Sequence, residues 1–593
     1  MTLQRLEFLP GVVKTETEYS QPGRWIDASY MRFVRDRPQT IGGWEQLGVE
    51  TLDGCARGVL AYRDTNSQRY LIAGTHQRVF RVLADGSKLN ITPVAQTDTL
   101  GADPITTTSG STSVSIADTS HARTMGDIVA FTGADDVGGL SLNGEWPVIT
   151  VTDANNYVVQ HTSAASSGAT GGGASVVFTY EIAAGICDGT VGYGFGAGLF
   201  GAGFFGKARP TGGEFYPRYW TFDAWGEDVL GSHANGKIYI HDTSAATRMT
   251  LASANAPSSS IYMFVTKEKH VVSLGAGGNP YQIKNSHQND YTNWTASATS
   301  QADTFSLEGG EPIVGGRAFR DGVNLIWTRQ SLWTRTFTDR QPFWNTKRRG
   351  VGMGLYGPHA HVEYGSLIYW MSDGDFYYFD GLSARPVPNS EDIRAYVFGD
   401  INTLQRDKAW GMTIRDHNEV WFFYVSGSAG EIDRYVIYYP LKGYWSHGSL
   451  ARTAGVDRLV FEYPLMLGTP SSGVSKIYEH ELGTDDDGAA LTKYIKSAPL
   501  EIVPGGETRA DVFQLIPDFK DQAEDVTITV EAKDKPNSTA ETFGPYTAET
   551  TTEAIDTRIS GRQLALTFTS AAVGGKFRLG DFRADIQPAG GLG

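Results

Sequence analysis

Cysteine is nearly missing: Cys55 and Cys187 stand alone in 593 residues. A disulfide-stapled secreted scaffold is thereby excluded, and two buried free thiols are the expected state, with a single bridge as the alternative. Basic charge is also short, 50 Lys and Arg against 66 Asp and Glu, which gives a formal charge of -16 and a pI near 5.3. Affinity for phosphates comes from Lys and Arg that displace counterions, so a chain of this balance is not built to grip nucleic acid. An acidic surface repels DNA and suits a wall past which DNA slides. No apolar run approaches the roughly 18 residues of a membrane span, and Met1 to Gly11 lacks a basic stretch followed by an apolar one. Synthesis and folding in the cytoplasm are expected. Long amphipathic helical patterns are almost absent.

Glycine is abundant (70 residues), aromatics make up 12 % and charged residues only 20 %, the composition of a β protein. Short alternating or apolar strands recur, joined by Gly, Asn or Asp turns. Examples are Gln68 to Ala73 followed by Arg78 to Val82, Asp228 to Gly231 followed by Lys237 to Ile240, and Leu367 to Trp370 followed by Phe376 to Phe379. Each pair is a hairpin signal. The hairpins return about every 40 to 50 residues, the period of a four-stranded propeller blade. Units near 56–95, 217–250, 260–297, 312–345, 358–390, 408–448 and 452–482 predict an all-β fold with a β-propeller of about seven blades, a β-sandwich array being the competing architecture.

Two regions break that period. The stretch 96–182 is rich in Thr, Ser, Gly and Ala and carries about nine acidic residues against the single basic Arg123. It reads as a small β domain, Ig-like, inserted in a propeller loop. Beyond 491, Val526 to Glu531, Arg562 to Phe568 and Lys576 to Ile586 read as strands of a C-terminal β-sandwich, one able to lend a strand back to the propeller. The expected division is therefore 1–95, an N-terminal segment with the first blade; 96–182, the insert; 183–490, the remaining blades; and 491–593, the sandwich.

Motifs that suggest chemistry fail on context. Gly196, Gly198 and Gly201 fit GxGxxG, and Gly201 to Lys207 fits the start of a phosphate loop. Ala208 stands where a Ser or Thr is needed, Pro210 breaks any helix, and no buried parallel strand leads in. The better reading is a Gly/aromatic period in which Phe195, Phe200 and Phe205 sit on a backbone-exposed loop that packs on a neighbouring blade or subunit. The carboxylate pairs Asp135 and Asp136, Asp373 and Asp375, and the run Asp485 to Asp487 lie beside Gly in turn contexts, where Asp is common for local hydrogen bonding. His359 and His361 face one way on a strand, with no third ligand near in sequence. No catalytic residue, metal or cofactor is expected, and the chain reads as non-enzymatic. Lys347, Arg348 and Arg349 form the densest basic feature, read either as a loop touching DNA or an adjacent subunit, or as a solvated turn.

Several separated motifs occur in order: Phe8 to Val12, Gly23 to Asp27, Met31 to Phe33, Gly42 to Trp44, Arg57 and Gly58, then Tyr494 to Ser497, Pro517 to Phe519, Gly544 to Tyr546, Asp556 to Arg562 and Arg578 to Gly580. Together with the Gly/aromatic stretch and Lys207 to Arg209 they resemble the tail nozzle proteins of short-tailed phages, also called tail tubular protein B, to which packaged-DNA stabilisation proteins are similar. The insert, with Thr106 to Gly110, Gly126, Asp127 and Leu142 to Gly144, looks like a small β module recurring in phage structural proteins. The resemblance implies a virion-tail protein, assembled in the host bacterial cytoplasm as a homohexamer of propellers. Its implied neighbours are the portal, the adaptor ring and tail fibre or needle proteins, around a lumen through which double-stranded DNA passes without sequence specificity. The short Gly/aromatic turns are natural candidates for its gate. Two rivals are a lectin-like propeller that binds host surface carbohydrate, and a tail hydrolase acting on surface polysaccharide, which would need paired acids across a cleft.

Overall fold

The computed structural model describes residues 3–190, 216–501 and 508–589, apart from positions 246, 321, 339 and 472. Strands dominate, and an α-helix, Glu391–Gly399, packs Ile393 and Val397 inward. Seven antiparallel sheets form the blades of a propeller. Blade 1 runs outward from Ala56–Arg63 through Arg69–Thr75 and Val79–Leu83 to Lys88–Asn90. Blades 2 to 6 repeat that order from innermost strands Trp220–Trp225, Tyr262–Val265, Ile313–Ala318, His361–Tyr364 and Trp410–Ile414. Blade 7 consists of Ala454–Val456, Leu465–Ser471 and Val474–His480, and Trp44–Gln46 supplies its fourth strand.

Innermost strands of blades 7, 1, 2, 3 and 4 adjoin in that order, as do those of 5, 6 and 7. Trp327 against Trp370, with ring centroids 5.7 Å apart, joins blade 4 to blade 5. Strands in the middle of a blade are covered on both faces, so they read as unbroken apolar runs: Glu419–Tyr424 is buried throughout. Outermost strands carry polar residues, as befits an unpaired edge. Because Trp44–Gln46 precedes blade 1 in the chain while the rest of blade 7 ends it, this pairing closes the ring and ties its two ends together.

The first forty residues lie outside the propeller. Leu3–Arg5, Trp25–Ser29, Met31–Val34 and Arg37–Thr40 enter the three sheets of the C-terminal domain, pairing with Arg583–Pro588, Lys493–Ser497 and Lys576–Leu579. The apolar positions Trp25, Ala28, Met31 and Phe33 join one cluster with Val512, Ile528, Leu566 and Phe568. Among the described residues the strand lent to the propeller comes from the N-terminal segment, not from the region beyond 491.

The insert is a separate body of eight strands, Val94–Thr99 through Val177–Glu181, around Ile116, Val129, Phe131, Tyr157 and Phe178. Its first and last strands pair antiparallel, Val94 opposite Glu181, so the chain returns to its point of departure. Arg78 of blade 1 and Arg248 of blade 2 clasp Glu145 and Glu181 of the insert at 2.5–3.1 Å, which fixes its seat on the propeller.

Candidate functional site at the propeller axis

The seven innermost strands enclose an axial cavity of about 550 Å³. Its wall is built from small and apolar residues such as Gly58, Ala61, Gly316, Val362 and Met412. Gly58 has φ +146°, and a Cβ there would lie 2.2 Å from the Trp220 carbonyl oxygen. Only glycine lets blades 1 and 2 approach so closely.

Charged groups gather at both ends. Where the innermost strands begin, Arg57 donates to both carboxylate oxygens of Glu431, at 3.0 and 2.5 Å. The fully buried Lys408 ammonium donates to Asp188 at 2.6 Å and to the Gly430 carbonyl at 2.5 Å. Burial pushes the Glu431 carboxyl up, but Arg57 and Lys408 outweigh it and hold it at about 2. Burial, then Arg57, lowers the Lys408 ammonium against the pull of Glu431 and Asp188. At the opposite end Arg317 meets Glu363 at 3.1 Å, and Thr413 donates to Asp457 at 3.0 Å. Asp223 accepts the backbone N–H groups of Val265 and Ala224, at 2.8 and 2.9 Å; burial raises its carboxyl against those two bonds.

The segment 183–190 lies across the first of these ends. Gly185 N–H donates to the His76 carbonyl, Arg218 N–H to the Ile186 carbonyl, and Gly189 exchanges two hydrogen bonds with the Gln405 side chain at 2.8 and 3.0 Å. Cys187 is bonded to Cys55, with Cα atoms 5.9 Å apart. The expectation of two free thiols is thus corrected. Their sequence separation of 132 hid the pairing, which arises because the insert's outer strands bring the chain back beside blade 1.

The sequence-derived candidates fall elsewhere. Phe195, Phe200 and Phe205 lie outside the described residues. Lys347, Arg348 and Arg349 are not a loop: they belong to Trp344–Val351, the outermost strand of blade 4. The register slips between Leu332 and Trp333, so that Arg349 is an extra residue on this edge. Arg348 reaches Glu311 at 3.1 Å and Ser331 at 2.8 Å, Arg349 donates to Thr334 at 2.8 Å, and Lys347 is exposed. Alternation with Thr346 and pairing to Ser331–Phe337 outweigh the turn signal that a charge run gives.

His359 and His361 line the cavity, and burial keeps both imidazoles neutral, holding His359 at about 4 and His361 well below its ordinary value. His361 stacks on Trp327 and lies 3.3 Å from the Tyr262 hydroxyl. Asp373 faces Arg406 and Asp375 faces Arg394, at 3.5 and 3.4 Å. Asp485, Asp486 and Asp487 turn to three different donors, Gly574 N–H, the Trp44 indole and Gln46 N–H. Asp135 and Asp136 are exposed on the insert. Sequence reasoning missed Lys408 and Glu431, isolated residues without a pattern; Arg57 was visible only as part of a motif.

No family model and no curated protein matches the chain. Solved structures similar to it include YCF48 from Cyanidioschyzon merolae, at 9% identity over 65% of this chain and 97% of that one, with a TM-score of 0.25. A catalytically inactive virginiamycin B lyase from Staphylococcus aureus aligns at 9% identity over 46% and 90%, TM-score 0.25. A phage phi92 endosialidase aligns at 12% identity over 81% and 70%, TM-score 0.17. The seven-bladed closure rests on the strand pairing itself.

Proposed function

We propose that this chain is a non-enzymatic structural subunit of a phage tail, a nozzle protein that forms a hexameric ring around exiting DNA. The reading is supported above all by where the motif residues of the resemblance sit. Trp25 and Phe33 are core of the C-terminal domain, Trp44 closes blade 7, Arg32 bridges domain to propeller, and Gly58 allows two blades to meet. Motifs engaged in joints make a rigid wedge, and wedges close into rings through heterologous contacts. Asp373, Asp375 and Asp485 to Asp487 are each engaged by a separate partner. The charge of -16 suits a wall past which DNA slides once a gate that retains it has opened. On this reading Phe195, Phe200 and Phe205 are candidates for a gate or a subunit contact, and Lys347, Arg348 and Arg349 on the edge of blade 4 for a contact with DNA or an adjacent subunit.

The test is mass measurement of the purified protein, alone and mixed with the adaptor ring, followed by a map of the virion. Six-fold association on the tail axis is expected; a persistent monomer, or a position off that axis, overturns the reading. The axial cavity, with Trp220, Phe222 and Phe264 in its wall, favours the carbohydrate-binding alternative, which glycan-array retention by a monomer would establish.

A further inference from the structure

Cys55 and Cys187 meet at a mouth of the axis where the Arg57 guanidinium and the carboxylates of Asp188 and Glu431 all lie close to the Cys187 sulfur. Arg57 donates to the Cys187 carbonyl at 3.0 Å and places the same nitrogen 3.5 Å from the Cys187 sulfur. A guanidinium there stabilises the thiolate over the thiol, which makes Cys187 both a ready nucleophile and a ready leaving group in thiol–disulfide exchange. Cys55 is buried, whereas Cys187 is partly exposed, so exchange with a solute starts at Cys187. Burial first, then Arg57 and Arg218, depresses the neighbouring His76 imidazole against the pull of Asp188 and Glu431.

Cys55, His76 and Cys187 are also residue types that bind zinc, and their ligand atoms lie close together. The hydrogen bonding opposes that use. His76 Nδ1 accepts the Cys55 N–H at 2.8 Å, which places the imidazole hydrogen on Nε2 and leaves neither ring nitrogen a free lone pair. Arg57 and Arg218 repel a dication as well.

We propose that Cys55 and Cys187 form a reversible thiol–disulfide switch that pins the segment 183–190 across the mouth of the propeller axis. The chain would fold reduced, because cytosolic thiols keep such pairs open, and close by exchange with a low-molecular-weight disulfide. Cys187 thiolate attacks one sulfur of oxidised glutathione and expels the first glutathione thiolate. Cys55, having lost its proton to solvent, attacks the Cys187 sulfur and expels the second. One protein S–S bond forms, one glutathione S–S bond breaks, and two electrons pass from protein to tripeptide. When the bond is open, Gly185 on His76, Ile186 on Arg218, Asp188 on Lys408 and Gly189 on Gln405 still hold the segment, so the fold persists while the covalent tie that restricts its opening is lost. The inference does not depend on the nozzle reading.

The test uses the full-length protein. Cells are lysed into iodoacetamide and the chain is weighed; it is then equilibrated with oxidised glutathione, alkylated and weighed again. Two alkyl groups are expected before oxidation and none after. Backbone amide exchange at 185–189 is expected to slow at least tenfold on oxidation. In the C55S and C187S variants it should stay at the reduced rate under both conditions, and wild type reduced in place supplies the same comparison if a variant does not fold. A bond already complete in the cell, failure to close with oxidised glutathione, stoichiometric zinc on the reduced chain, or equal exchange in both states would each overturn the proposal.

Discussion

Arg32 joins three parts of the molecule through one side chain. It lies on Met31–Val34 in the C-terminal domain and is 1 % exposed, yet Nε and Nη2 reach Glu419 of blade 6 at 2.9 and 3.1 Å, while Nη1 and Nη2 reach Glu481, just beyond blade 7, at 2.6 Å each. Burial raises both carboxyls; against Glu481 Arg32 prevails and holds it well below the usual carboxylate range. Removing the guanidinium strands two carboxylates in a dry joint, which costs on the order of 3–5 kcal/mol. R32M is therefore expected to lower the urea midpoint by that free energy, measured by fluorescence, and R32M/E419Q to recover part of it. A lysine cannot bridge both carboxylates in a forked geometry, so R32K is also expected to destabilise. The triplet Met31 to Phe33 was legible in the sequence as a motif. Its meaning was not, because the partners lie 387 and 449 residues away and no local pattern reports such a pairing.

Blades were readable as elements because each is a set of consecutive hairpins, and a hairpin is written in adjacent residues: alternation, then a turn, then alternation. Pairings that skip along the chain were not readable for the same reason, hence the N-terminal segment carried no assignment to the C-terminal domain, and the bulged edge of blade 4 took on the look of a charged loop. The insert is the extreme of locality. Pro93 accepts a hydrogen bond from Ile182 N–H at 3.0 Å, so the ends of 94–181 are one strand apart. The insert has its own core, and the links named at its seat are Arg78 and Arg248 on Glu145 and Glu181. Replacing 94–181 by a short Gly/Ser linker should therefore leave one cooperative melt of the propeller, with a loss of about 1–3 kcal/mol from the unpaired Arg248, the reduced pairing of Arg78, which keeps Asp53, and the freed rim of blade 1. Circular dichroism and calorimetry of the excised chain check this; loss of the cooperative transition would mean that the insert is part of the propeller's folding unit.

At the scale of the whole molecule, stability is tied to protons through histidine rather than through the acidic surplus. His76, His233, His241, His270, His359, His361 and His480 are all lowered, in each case by burial first. Each is uncharged in the folded chain, and His480 uses its Nε2 lone pair to accept from Arg452 Nε at 2.9 Å. In the unfolded chain the same rings titrate near 6.5. A folded value below the unfolded one means that between them the unfolded state binds the extra proton, so stability falls as pH falls through that window. For His76, His241 and His359, held at about 4, the window runs from about 6.5 down to 4, and at pH 5 each costs about 2 kcal/mol relative to neutrality. Glu431, at about 2, acts lower: its contribution is full above its unfolded value near 4.5 and is lost as pH drops toward 2. The two windows follow one another, so the unfolding free energy is expected to decline continuously from pH 7 to pH 3. Three histidines alone remove about 6 kcal/mol by pH 5, comparable to the entire margin of a typical domain. Urea melts at pH 7, 6 and 5 read this directly, and H76Q with H359Q should flatten the decline between pH 6.5 and 5 while leaving the portion below pH 4 unchanged. A wild-type midpoint constant from pH 7 to 5 would show that these rings are not held neutral by burial.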